Sequence, residues 1–261
     1  ALSQGIERDE IRESAFLGLG EIRQPVPAPW HPYYPGDEAA FRFTDFDPAA
    51  ANATLDRLGL ARGSNGLRTL PSGEPLRLEI SVVPAFGPWP DVAQLIASDF
   101  AELGITTDVQ VRERTAHFTM RDSNELMMEI WNEDTTAFPF TGNPKIDPRS
   151  NPATIFAVEN RTWYETNGAR GWEPEGSIAR FVEIIEEAKT VGTERQIELA
   201  QELYTIASEE LFAIGTVGLT PMIQGVVVLN ENLRNVPGVV ANDWPLRTPG
   251  DARPEQFFFG Q

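Results

Sequence analysis

Between residues 76 and 131 the spacing of apolar residues switches repeatedly between two periods, and this alternation constrains the fold more than any other feature of the chain. Leu76, Leu78, Ile80 and Val82 alternate with Arg77, Glu79 and Ser81, the two-residue period of a strand with one buried face. Residues 90–103 then place Val92, Leu95, Ile96, Phe100 and Leu103 on one helical stripe, stopped by Gly104. Ile105, Thr107, Val109 and Val111 alternate again, a short helix follows over 114–122, and Leu126 to Trp131 reads as a third strand. Strand, helix, strand, helix, strand at this spacing predicts βαβ crossovers. The expected fold is α/β, with a mixed, largely parallel sheet flanked by helices.

The flanking segments are read from their turn and cap residues. "ALSQGIERDEI" opens as a helix with Leu2, Ile6 and Ile11 on one side, and because it begins at Ala1 the chain is expected to be cut from a longer polypeptide. The proline-rich stretch 20–37 excludes a long helix or a central strand, and its aromatic residues over 29–34 are expected to cover the core. Asp47 caps a helix that starts at Pro48 and closes at Gly59. Two back-to-back helices follow after residue 174. The first turns Ile178, Phe181, Val182 and Ile185 inward; the second opens on a capping box, Thr193 with Gln196, and carries Ile197, Ala200, Tyr204, Ala207 and Leu211. "GVVVL" at 225–229 is strand-like. With no internal repeat, residues 1–261 are expected to form one ligand-binding lobe.

Charge and residue content exclude several functions. A net charge of -18 opposes binding to nucleic-acid phosphates or an anionic membrane surface. The absence of cysteine removes thiol nucleophiles, iron–sulfur clusters and cysteine-based zinc sites, and the two histidines, His31 and His117, cannot form a histidine-rich metal centre. No cofactor or metal is expected. No apolar run approaches the roughly 20 residues that span a bilayer.

The strand ending "MMEIWNEDTTAFPF" is the place where chemistry could sit. In open parallel sheets ligands bind beyond the carboxyl ends of the strands. There Trp131 offers a flat apolar surface with one donor. A carboxylate such as Asp134 attracts an ammonium group by about 4 kcal/mol at 4 Å and an effective dielectric near 20, before desolvation is subtracted. The alternatives are a core aromatic for Trp131 and a turn or cap for Asp134. Asn132 and Thr135 share the same strand end, Glu133 reads as solvated, and Trp89 in "FGPWPDV" either lines the cleft or packs its own loop. Arg114 and Arg121 read as surface charges. A rival reading is an acid/base hydrolase of carbohydrate or peptide bonds, which needs two carboxyl groups facing each other across a bond. Adjacent Glu133 and Asp134 on extended backbone diverge.

Several stretches together resemble the extracellular solute-binding proteins of family 5, the peptide- and nickel-binding receptors of ABC importers. They are "ALSQGIERDEI", "FLGLGE", "FDPAAANATLDRLGL", "VAQLIASDFAELGI", the strand end "WNED" and "NLRNVP". The resemblance implies a periplasmic-binding-protein-like type II lobe, the second of two, with the first lobe absent from this chain. It also implies an extracytoplasmic, membrane-anchored, non-enzymatic receptor that hands a small solute, a peptide or similar amine-bearing molecule, to ABC importer permease subunits. Trp131 and Asp134 match the family's Trp-x-x-Asp, whose aspartate holds a peptide's α-amine. Trp131, Asn132, Asp134, Thr135 and Trp89 are therefore the expected ligand-binding residues. The chain departs from the dipeptide-binding pattern in lacking an arginine within "VVPAFGPWPDV", which puts a strict dipeptide receptor in doubt.

Overall fold

The computed structural model describes residues 1–85, 87–133, 136–141, 145–150, 156–220, 229–238 and 252–260. In chain order these contain α1 (Arg8–Phe16), β1 (Glu21–Ile22), α2 (Asp37–Ala40), α3 (Pro48–Arg57), β2 (Arg77–Val82), α4 (Trp89–Glu102), β3 (Thr106–Val111) and α5 (Arg114–Asp122). They continue with β4 (Met128–Ile130), α6 (Val158–Glu165), α7 (Gly176–Ala188), α8 (Thr193–Glu210), β5 (Val217–Gly218), β6 (Leu233–Arg234) and β7 (Phe258–Phe259).

The alternation over 76–131 folds as expected. Strands β3, β2 and β4 lie side by side in that order, all parallel, with Ile80 opposite both Val109 and Met128. Helices α4 and α5 are the crossovers. The expectation of a single buried face on β2 is corrected. Ile80 and Val82 enter the core with α1, α3 and α4, yet Ser81 on the opposite face is also fully buried, because α5 covers it and places His117 against it. The carboxyl half of this central parallel strand is covered on both sides, so Ser81 lies in an internal polar layer, whereas Arg77 at the strand's start stays exposed.

Among the described residues, the buried apolar side chains form two clusters. One gathers Ile6, Ile11, Phe16, Leu55, Ile80, Val82, Val92, Ile96, Phe100 and Ile105; the other gathers Val26, Ala40, Phe181, Ile184, Ile185, Leu199, Leu203 and Tyr204. The ribbon β1–β5, Ile22 opposite Val217, runs antiparallel, and Gln24 fastens its neighbourhood by accepting from the Gly215 N–H at 2.8 Å. Irregular segments are held by buried arginines. Arg8 donates to the carbonyls of Ser3, Thr44 and Gly215, and Arg68 reaches Leu103 O, Asp56 and Asn52. A guanidinium has five donors, so it satisfies several buried loop carbonyls at once.

Local expectations are met at α3, where the Asp47 side chain accepts from the Ala50 N–H ahead of Pro48, and at Gly104, whose φ of +80° ends the α4 turn. Others shift. The amino terminus forms a 3-10 turn over Ser3–Gly5, and the helix begins only at Arg8, where Glu7 accepts from the Asp9 N–H. The capping box is absent: Gly192 takes the cap position and Gln196 donates instead to Ala188 O at 2.8 Å, tying α8 to the end of α7. The buried stripes are rotated towards Phe181, Ile184, Ile185 and Ala188 on α7 and Leu199, Leu203 and Tyr204 on α8, because each helix turns its face to the other. Trp30 stands exposed instead of covering the core, whereas Tyr34 packs on the second cluster and donates to Asp37 at 2.6 Å. Most of the strand expected at 225–229 lies outside the described residues.

Candidate functional site

The carboxyl ends of the three parallel strands carry an aromatic wall. Trp131 follows β4 directly, Trp89 opens α4 a few residues beyond β2, and Arg114 and Phe118 sit on the first turns of α5 beyond β3. Parallel strands joined by short crossovers must deliver all these residues to one edge. Ring centroids of Trp89 and Trp131 are 4.8 Å apart at an interplanar angle of 46°, and Phe118 lies 5.2 Å from Trp131. The Arg114 guanidinium stands 5.8 Å over the Trp131 ring and 5.3 Å over Phe118, within cation–π range. Gly87 lets the loop before α4 fold this tightly, since a side chain there would meet the Trp89 indole nitrogen at 2.9 Å.

Of the residues expected from sequence, Trp89 and Trp131 are brought together. Trp89 is 3% exposed and supports the wall, while Trp131 is half-buried. Asn132 continues the strand end, and its backbone carbonyl accepts from Lys145 Nζ. Glu133 is exposed. Asp134 and Thr135 lie outside the described residues. At the start of α5, Glu113 accepts from the Thr115 and Ala116 N–H groups at 2.8 and 3.1 Å, and these bonds hold its carboxyl below the usual carboxylate range.

Beneath the wall runs a polar chain that sequence reasoning missed. His117 is fully buried, with Nδ1 2.9 Å from Ser81 Oγ and Nε2 2.6 Å from Glu129 Oε2. Arg112 extends the chain to Ser81 at 3.4 Å and pairs with Glu79 at 3.0 Å; Arg121 flanks Glu129 at 3.8 Å. Arg121 is thus buried, which corrects its reading as a surface charge, and its guanidinium stacks 4.4 Å over Phe118. The legible signal was the four-residue spacing of His117 and Arg121 on one face of a short helix, with Glu129 on the strand that follows. Serine, histidine and a carboxylate in line resemble a hydrolytic triad, but Ser81 and His117 have no exposed surface, so no substrate atom can reach the hydroxyl. Among the described residues no group of three or more histidines and carboxylates is placed to hold a metal ion.

Comparison with known proteins identifies the family and the fold. The family model for bacterial extracellular solute-binding proteins, family 5 Middle, matches residues 1–149. A solved oligopeptide-binding protein OppA superposes with a TM-score of 0.82 at 30% identity, covering 100% of this chain and 42% of its own. The oligopeptide-binding protein AppA from Bacillus subtilis, solved with a nonapeptide, gives a TM-score of 0.67 at 14% identity, covering 100% of this chain and 46% of its own. NikA from Brucella suis, solved with Fe(III)-EDTA, gives 0.61 at 16% identity, covering 88% and 44%. The last two show the fold alone. This chain therefore spans less than half the length of each of these proteins. A comparison with curated protein sequences finds no match.

Proposed function

Because this chain belongs to the bacterial extracellular solute-binding proteins of family 5, we propose that it is the solute-binding lobe of an ABC-importer receptor and takes a peptide or a similar amine-bearing solute. The receptor is not an enzyme. Its work is differential binding: solute stabilises the closed arrangement of two hinged lobes, and the permease subunits of the importer recognise that arrangement. This chain supplies the second lobe, and the first lies outside it. The parent acts outside the cytoplasm, anchored to the membrane. The hydrolase reading finds no support, since the matched family is one of binding proteins.

The observation that carries the reading is the half-buried Trp131 at the carboxyl edge of the parallel sheet, flanked by Phe118 and Arg114, in a chain 30% identical over its whole length to OppA. Trp131 supplies a flat surface for the solute backbone, and Asp134, three residues on, meets its ammonium group. Hydrogen bonds to charged groups are worth about 1.5–3 kcal/mol, so Asp134→Asn in the intact receptor lowers affinity for its amine-bearing solute by roughly 10- to 150-fold. The solute is first identified by mass spectrometry of what co-purifies with the receptor, and titration calorimetry then compares wild type and variant. Equal affinity refutes the role of Asp134, and a co-purifying solute without an amine refutes the solute class.

A further inference from the structure

The buried chain under α5 crosses the whole sheet: Arg112 follows β3, Ser81 is on β2, His117 on α5 and Glu129 on β4. Arginine only donates, so Ser81 Oγ accepts from Arg112, and one hydrogen is shared between Ser81 Oγ and His117 Nδ1. His117 Nε2–H then donates to Glu129, whose second oxygen faces Arg121. An imidazole bonded through both nitrogens, in a site with no exposed surface, cannot rotate about its own plane.

We infer that His117 is a positioning residue whose pinned ring sets the orientation of the Trp131 indole. The two rings are nearly parallel, 6.1 Å apart at 21°, and Phe118, the next residue of α5, closes on the same indole at 5.2 Å. Glu129, which holds one end of His117, lies on β4 two residues before Trp131, so the tether fixes the backbone that leads into the indole as well as the ring beside it. Trp89 completes the enclosure at 4.8 Å. The aromatic wall is in this way assembled before solute arrives, which spares solute binding the loss of rotamer freedom that a mobile tryptophan would incur.

The inference rests on the reading of Trp131 as part of the solute-facing wall, but the orientation itself is measured without solute, so the two can fail separately. Two indoles this close and tilted by 46° couple as excitons and give a paired band in far-ultraviolet circular dichroism. In the intact protein, Trp131→Phe abolishes that couplet and so assigns it. His117→Leu, with the helical signal unchanged, loses most of it; Ser81→Ala weakens it; Glu129→Gln, whose amide oxygen still accepts from Nε2–H, retains it. A folded His117→Leu protein with the wild-type couplet overturns the inference. So does a Glu129→Gln protein that loses the couplet as fully as His117→Leu, since charge and not ring placement would then be responsible. If His117→Leu does not fold, Ser81→Ala decides: a weakened couplet supports the inference and an unchanged one overturns it.

Discussion

At the scale of single residues, the polar groups buried by this fold are more informative than the apolar ones. Asp99 on α4 accepts the Glu7 N–H at 2.9 Å, fastening the start of α1 to α4. Burial first, and then the neighbouring Glu10, Glu7 and Glu102, push its carboxyl up from 3.8 to about 6, against the opposing effect of that hydrogen bond. The folded chain therefore holds a proton between these values that the unfolded chain has lost. Stability from this group is fully present below pH 3.8 and declines as pH rises through about 6. Asp99→Asn keeps an acceptor for Glu7 and removes the titration. Urea unfolding at pH 4 and pH 7 is expected to show a smaller loss of midpoint for the variant over that interval than for wild type, and identical losses would rule out this account. Among the site residues, Trp131 and Trp89 were legible in sequence as aromatics near strand and helix ends, and their contact was not. His117 and Ser81 were illegible as partners, because a hydrogen bond between residues 36 apart depends on the crossover path that brings α5 onto β2.

At the scale of elements, periodicity located the helices and strands well and their faces less well. The period of α7 is legible in sequence, but Ile178 and Ile184 are both compatible with an apolar stripe, and only the crossing with α8 selects Ile184, which is fully buried, over Ile178, which is half-exposed. Truncating Ile184 to alanine is expected to cost about 2–5 kcal/mol, as for other fully buried isoleucines. Ile178→Ala costs about half as much, in proportion to the area removed from water. Chemical denaturation of both variants measures the difference, and equal costs would place the two side chains in equivalent surroundings. Caps behaved similarly. Asp47 works as expected because its helix start depends only on local backbone. The start of α8 differs because Gln196 is drawn to Ala188 of the neighbouring helix.

At the scale of the whole molecule, the chain covers 42% of the OppA chain it superposes on, and the aromatic wall stands at its sheet edge with Trp131 still half-buried. On the proposed function, the 261-residue chain alone has part of the contacts and cannot exclude water from the solute. Calorimetry on the lone chain and on the intact receptor is expected to give weak or undetectable affinity for the first and tight affinity for the second; equal tight binding by both would end the two-lobe account. The sequence by itself determined the parallel βαβ core, because period, caps and crossover length are local properties of the chain, and its motifs carried the resemblance to the family. Only the tertiary structure decided which side chains touch: the Trp89–Trp131 pair, the burial of Arg121, and the chain from Arg112 through Ser81 and His117 to Glu129. These contacts join residues from separate strands and helices. Their distances are set by how the layers stack, which no single segment encodes.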